Sequence, residues 1–282
     1  MNDAPDAPSL LDLLGRRPSA IELDRAALEI ARIEYPDLDP NRYIAELDRH
    51  AAAIADRAHD LDDGERFVET ASAYLFGELA LRGNQEDYYN AGNTCLNRVL
   101  DTRLGLPITL SVVYMEVARR LAKPVVGVGL PGHFVIRYDD GQYATWIDPF
   151  HGGALLDAAG CKRLAALAME PDAPEPDSIA DDLLEPVDLR SIAMRMINNL
   201  RQVYFLRRDP EKALRVLDLL ILADPDSADE HKQRGVALLQ QQRIAESLRA
   251  FRRYLELAPN APDRDRILEQ IRNLTFWIAS RN

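Results

Sequence analysis

Apolar residues return every three or four positions through the first hundred residues of this chain, the spacing of amphipathic helices. Ile21, Leu28, Ile30 and Ile33 mark a first helix, preceded by Ser19-Ala-Ile-Glu22 at capping-box spacing. Pro36 and Pro40 interrupt it, and Pro40 suits the first turn of a second helix over 41–59, with Tyr43, Ile44, Leu47, Ala51 and Ile54 on one face. A third covers 65–81 through Phe67, Val68, Tyr74, Leu75 and Leu79, and a short one covers 94–102. Residues 107–121 are apolar around most of the circumference, which predicts a helix buried in a core, opened by Pro107 and ended by Lys123-Pro124. The period then changes. Short strands are expected at 125–129, 134–138 and 143–147, the last two joined by Asp139-Asp-Gly141, a hairpin signal. A buried helix followed by a small antiparallel sheet is an α+β arrangement.

Residues 169–188 interrupt this pattern with four prolines and eight acidic residues, and no Lys or Arg occurs from 164 to 189. Proline removes backbone donors and like charges repel, so the segment reads as a linker. Beyond it the chain repeats. A shift of 34 residues superposes Tyr204 on Leu238, Ala213 on Ser247, Leu214 on Leu248, Leu217 on Phe251, Leu220 on Tyr254 and Pro225 on Pro259. Period and pattern fit two tetratricopeptide repeats, with turns at Asp209-Pro210 and Gln242-Arg-Ile244 and a terminal helix over 261–280. The expected organisation is residues 1–168 as a helical N-terminal region and core, 169–188 as linker, and 189–282 as an all-α repeat domain.

Charge divides at the same place. Residues 1–189 carry −17 and residues 190–282 carry +5. The acidic body argues against sequence-independent nucleic-acid binding, which needs a cationic surface. On the repeats, Arg201, Arg208, Lys232 and Arg234 are candidate contacts for a protein or peptide partner, an acidic one by charge, with the acidic linker as an internal competitor for that face. No apolar run is long enough to span a bilayer, and the N-terminus lacks the basic start and apolar core of a signal peptide. A cytoplasmic protein without membrane contact is expected, and its two cysteines, Cys95 and Cys161, as free thiols.

Candidate chemistry concentrates in Pro131-Gly-His133-Phe134 and Ile147-Asp148-Pro149-Phe150. Adjacent antiparallel strands can bring His133 and Asp148 into hydrogen-bonding reach, so that the carboxylate orients the imidazole. The bland alternative is a pair that only holds a hairpin together. Gly129, Gly132, Gly152 and Gly153 are expected to serve turns with unusual dihedrals. Neither a P-loop nor a dinucleotide fingerprint occurs, and no cofactor is expected. His151 could join His133 and Asp148 around a metal, but without characteristic ligand spacing the expectation is no metal. Asn84, Asp87, Tyr88, Tyr89 and Asn93 form a polar, aromatic block that either lines a binding cleft or satisfies buried backbone groups.

Several motifs in order, Gly83-Asn84…Asp87-Tyr88-Tyr89, Asn93-Thr-Cys95-Leu96, Gly105-Leu-Pro107-Ile-Thr-Leu110, Pro131-Gly-His133-Phe134 and Ile147-Asp148-Pro149-Phe150…Gly152-Gly153, resemble the SirB-type transglutaminase-like proteins, many of which carry C-terminal tetratricopeptide repeats. The resemblance covers roughly residues 20–165 and the repeats. It implies a helix-rich papain/transglutaminase-like α+β core, in which active relatives use Cys, His and Asp, the cysteine at the N-terminus of the buried helix. Here that place falls near Pro107-Ile108-Thr109, without a thiol. Thr109 and Ser111 are more simply back-bonded or capping hydroxyls. Cys95 lies twelve residues before Pro107, and the order Cys95, His133, Asp148 matches the superfamily's catalytic order.

Two function classes follow. The favoured one is a non-catalytic protein-binding adaptor with a degenerate transglutaminase-like cleft and a repeat surface. The alternative is a cysteine-dependent amide hydrolase or acyl transferase, in which Cys95 attacks a carbonyl, His133 moves the proton and Asp148 orients the imidazole.

Overall fold

A computed structural model of the chain describes residues 10–17, 20–58, 60–169 and 175–280. They fall into two compact units, one within Arg16–Met196 and the other within Met1–Gly15 and Ile197–Asn282. Ser19 of the expected capping box, the expected helix end at His59, and residues 170–174 of the expected linker lie outside the described residues.

In chain order, helix α1 (Leu10–Leu14) belongs to the second unit, and α2 (Leu23–Ala31) opens the first. Helix α3 (Pro40–Arg57) starts where Pro40 predicts, with the Asp39 carboxylate accepting from the Asn41 amide. Helix α4 (Gly64–Ser72) widens into π-helical turns over Ala73–Glu78 and ends at Ala80, which adopts a left-handed φ of 55°. Strand β1 (Arg82–Gly83) pairs in parallel with β2 (Leu104–Gly105), and α5 (Leu96–Thr102) lies between them in sequence. Helix α6 (Pro107–Arg120) is buried at every position from Pro107 to Ala118, as its all-round apolar pattern requires. A second side of its C-terminal end is polar. Arg120 reaches Asp24 of α2 at 2.7 Å, Glu116 at 2.8 Å and Asp48 of α3 at 2.6 Å, locking three helices together.

The sheet follows as β3 (Val125–Leu130), β4 (His133–Asp139), β5 (Ala144–Asp148) and β6 (Ala154–Leu156). The first three match the expected strands. Strand β6 and a fifth strand, β7 (Pro186–Val187), extend it into an antiparallel sheet of order β6-β5-β4-β3-β7. Between them, α7 (Ala158–Leu167) buries Cys161, Ala165 and Ala166 against Val128, Leu130 and Val135.

Residues 175–188, read from sequence as linker, are part of this unit. Ile179 and Leu184 enter the same apolar cluster, and β7 adds to the sheet edge beside β3. Composition hides this because a few apolar residues are scattered among acids and prolines. Pro186 is compatible with an edge strand, where one side needs no donor.

Helix α8 (Leu189–Leu206) contributes its first part to this unit and its second to the repeat unit. The repeat helices are α9 (Pro210–Ala223), α10 (Ala228–Gln240), α11 (Ile244–Leu257) and α12 (Arg264–Ala279). The turns fall where expected: Asp209 caps α9 through the Lys212 amide, and Gln242 takes a φ of 58° before α11. The repeat's small positions have a packing cause. A Cβ on Gly235 would come within 2.6 Å of the Phe251 ring, and Ser247, fully buried, donates its hydroxyl to the Gly235 carbonyl at 2.7 Å. Close approach of α10 and α11 therefore excludes larger side chains there.

Candidate functional site

Antiparallel pairing of β4 with β5 aligns Ile136 with Ile147, which brings the first residue of β4, His133, beside the last of β5, Asp148. His133 Nε2 lies 2.9 Å from Asp148 Oδ2. The expected dyad geometry is present. Asp148 is only 2% exposed, and its Oδ1 accepts from the amides of Phe150 at 3.0 Å and His151 at 3.3 Å, closing the turn after β5. Burial opposes its ionisation, but the hydrogen bonds and charges of His133 and His151 outweigh burial and hold the carboxyl below its usual value.

His151 occupies the other side of the same oxygen, with Nδ1 2.7 Å from Asp148 Oδ2. The ligand-capable atoms of His133, Asp148 and His151 all lie within 4.8 Å of one another. Gly152 and Gly153, at φ of 69° and 77°, turn the chain back, and the Gly153 amide donates to the Asp148 carbonyl. Gly132 at φ 63° makes the β3–β4 turn. Gly129 serves differently from expectation. It is ordinary strand, and its missing side chain leaves room for Arg195, whose Nη1 would sit 3.0 Å from a Cβ there.

Arg195 was not a sequence candidate, since nothing marks an arginine 62 residues after His133. Its Nη2 donates to the carbonyls of Leu130 at 2.8 Å and His133 at 2.7 Å, clamping both ends of the turn that carries His133. Its guanidinium lies 5.5 Å from the centre of the Phe134 ring. Burial lowers its pKa, with Tyr88 opposing weakly.

Phe150 is the hub of the aromatic block. Its ring meets Tyr88, His133 and His151 edge-on at 6.0, 5.9 and 5.2 Å, and a Cβ on Gly83 would strike it. The polar residues before it mostly satisfy one another. Asn93, 4% exposed, donates to the carbonyls of Asp87 and Tyr88 and accepts from Asn84 at 3.0 Å. Asn84 also lines a groove of about 340 Å³ with Gly83, Leu104 and Phe150. Burial raises the Tyr88 hydroxyl pKa.

Cys95 sits one residue before α5, at its N-cap, not inside it. It is fully buried, and Sγ donates to the Ala91 carbonyl at 3.3 Å. At the start of α6, Ser111 donates to the Pro107 carbonyl at 2.8 Å as expected of a back-bonded hydroxyl, whereas Thr109 Oγ1 is buried without a partner. Cys161 is also buried, and desolvation, with the charges of Asp157 and Asp148, pushes its thiol up to about 12.

On the repeats, three of the four candidate cations meet carboxylates of their own unit: Arg201 with Glu230 at 2.9 Å, Lys232 with Asp263 at 2.5 Å and Arg234 with Asp218 at 2.7 Å. Arg208 is exposed, at a left-handed φ of 55° after α8.

A profile of the transglutaminase-like superfamily matches residues 41–198, more than half of the chain. The chain belongs to the transglutaminase-like superfamily. A tetratricopeptide-repeat profile matches residues 200–272. A protein of Xylella fastidiosa named UPF0162 protein is 35% identical over 88% of both chains. Protein SirB1 of Salmonella typhimurium is 24% identical over 88% of this chain and 90% of its own, in keeping with a SirB-type family. F-box only protein 21 of Mus musculus is 32% identical over 56% of this chain but 26% of its own length. The fold is therefore a transglutaminase-like α+β core followed by tetratricopeptide repeats, and among the described residues no helix is long and apolar enough to cross a membrane.

Proposed function

We propose that this transglutaminase-like protein is a non-catalytic adaptor that works in the cytoplasm and binds a protein or peptide partner through its repeats. The observation that carries the reading is the state of the thiols. The resemblance puts the superfamily's nucleophile at the start of α6, near Pro107, Ile108 and Thr109, where no cysteine stands. Cys95, upstream, is wholly buried with its sulfur directed at the Ala91 carbonyl. A nucleophile needs access to a carbonyl substrate, and a wholly buried sulfur lacks that access. Tetratricopeptide repeats generally supply peptide-binding surfaces.

An acidic partner fits less well than charge alone implies. Arg201, Lys232 and Arg234 already face carboxylates, so such a ligand must displace Glu230, Asp263 or Asp218, and Arg208 is the cation best placed to meet it.

The enzyme reading rests on one specific observation, the formed His133–Asp148 pair. The two readings separate on iodoacetamide alkylation of the folded protein between pH 6 and 9, followed by mass spectrometry of the Cys95 peptide. The adaptor predicts slow labelling unchanged by His133→Ala. Fast labelling near neutral pH that slows in His133→Ala would establish a histidine-activated thiolate and overturn it.

A further inference from the structure

In a dyad, one imidazole meets one carboxylate oxygen. Here two imidazoles meet the same one. His133 Nε2 and His151 Nδ1 lie 2.9 and 2.7 Å from Asp148 Oδ2, and a positioning role for His133 needs only the first contact. We infer that His133, Asp148 and His151 form a binding site for one divalent first-row transition ion, with zinc the best match to the donor set.

The donors are two imidazole nitrogens and one carboxylate oxygen, the mixed N/O set that suits zinc and its neighbours, not the all-oxygen set of calcium or magnesium. All three donor atoms already lie within 4.8 Å of one another. Tetrahedral zinc at about 2.0–2.1 Å from each ligand needs them about 3.3 Å apart, so each nitrogen–oxygen contact must open by about half an ångström while the two nitrogens settle to the same spacing. His151 can supply that movement, because its side chain is 46% exposed while those of His133 and Asp148 are 11% and 2%.

The surroundings hold the donors from behind. The Phe150 and His151 amides occupy Asp148 Oδ1, leaving Oδ2 as the single oxygen presented to an ion. Arg195 fixes the backbone carbonyl of His133, and the Phe150 ring packs edge-on against both imidazoles. Supports of this kind orient ligands and restrict their alternatives. The half-exposed His151 leaves the remaining coordination positions open toward solvent. The inference does not depend on the adaptor reading, since a site with three protein ligands can be structural, catalytic or a docking point.

The test is a competition titration of the metal-stripped full-length protein with Zn²⁺ against a chromophoric chelator, repeated with Co²⁺ to read its visible d–d bands. One saturable equivalent is expected, with intense tetrahedral Co²⁺ bands. His151→Gln, at an exposed position that spares folding, should weaken Zn²⁺ binding by more than about tenfold and abolish those bands. Asp148→Asn should do the same, and His231→Gln, on α10, should change nothing. Absence of saturable binding, or one equivalent retained unchanged in His151→Gln, would overturn the assignment. Should Asp148→Asn fail to fold, His151→Gln still decides.

Discussion

Removing the Arg120 guanidinium should destabilise the transglutaminase-like unit by stranding two buried carboxylates. Its side chain is 11% exposed and contacts three carboxylates, of which Asp24 and Glu116 are 5% and 3% exposed and Asp48 is 61% exposed. The Asp48 contact is a surface pair, worth at most about 1 kcal/mol. The cost comes from the buried pair left behind. Taking away one partner of a buried ion pair typically costs about 3–5 kcal/mol. Arg119, 58% exposed, still reaches Glu116 at 2.8 Å and Asp24 at 3.4 Å and offsets part of this. Arg120→Met should therefore cost about 3 kcal/mol at neutral pH. That is a large share of the roughly 5–15 kcal/mol that holds a typical domain folded.

The pH dependence gives the reasoning a second, independent readout. Burial and the Asp24 charge already raise Glu116, against the pull of Arg119 and Arg120. A carboxyl raised on folding binds its proton more tightly in the native state, so its contribution weakens stability as pH rises through that raised value. Without Arg120 the raising influences gain. The deficit of Arg120→Met should thus shrink as pH falls from 8 to 5, as Glu116 takes up a proton. The assay is urea unfolding followed by fluorescence in a Trp277→Phe background, so that Trp146, in the same unit as Arg120, supplies the signal. A deficit below about 1 kcal/mol, or one that does not change with pH, would refute the claim that Arg120 neutralises buried charge.

Asp148→Asn should destabilise the core by about 1–3 kcal/mol, because two imidazoles and two backbone amides share this carboxylate. Its folded pKa is lowered, so its contribution is complete above the unfolded carboxylate value and fades as pH falls through the folded one; denaturant titrations at pH 3–6 should show that slope vanish in the variant. Gly132→Ala forces a side chain into φ +63° and against Ala168 Cβ at 2.6 Å, for a loss of about 1–2 kcal/mol in thermal unfolding. Gly235→Ala drives a methyl into Phe251 and should cost about 1–3 kcal/mol, read as earlier unfolding of Trp277 fluorescence.

Legibility in the sequence followed the range of the interactions involved. Periodic elements were readable because one face repeats within the element: α3 with Pro40 at its start, the all-apolar α6, the three central strands, and the small position at Ser247 in the repeats. The His133–Asp148 contact was readable for a related reason, since a hairpin makes a separation of 15 residues local. Residues 179–187 were not, because their few apolar side chains are scattered among acids and find their partners in a cluster assembled from β3, β4 and α7. Arg195 left no trace either. Its target is backbone carbonyl, and a carbonyl has no residue identity to match.

The retained dyad is weaker evidence for catalysis than its geometry first implies. Besides meeting His133, Asp148 caps the following turn through two amides, anchors His151, and accepts the Gly153 amide on its own carbonyl. Each contact has a structural purpose that survives loss of a nucleophile. The cost of deleting the carboxylate is therefore expected whether or not the cleft ever turns over a substrate, and the His133–Asp148 pair alone cannot rank the two readings. What ranks them is the group with no structural need to be exposed. A catalytic thiol must be reachable by its substrate, whereas a packing thiol gains by being enclosed. Cys95, fully buried with its sulfur donating to the Ala91 carbonyl, meets the second description, and that burial is what supports the proposed adaptor reading.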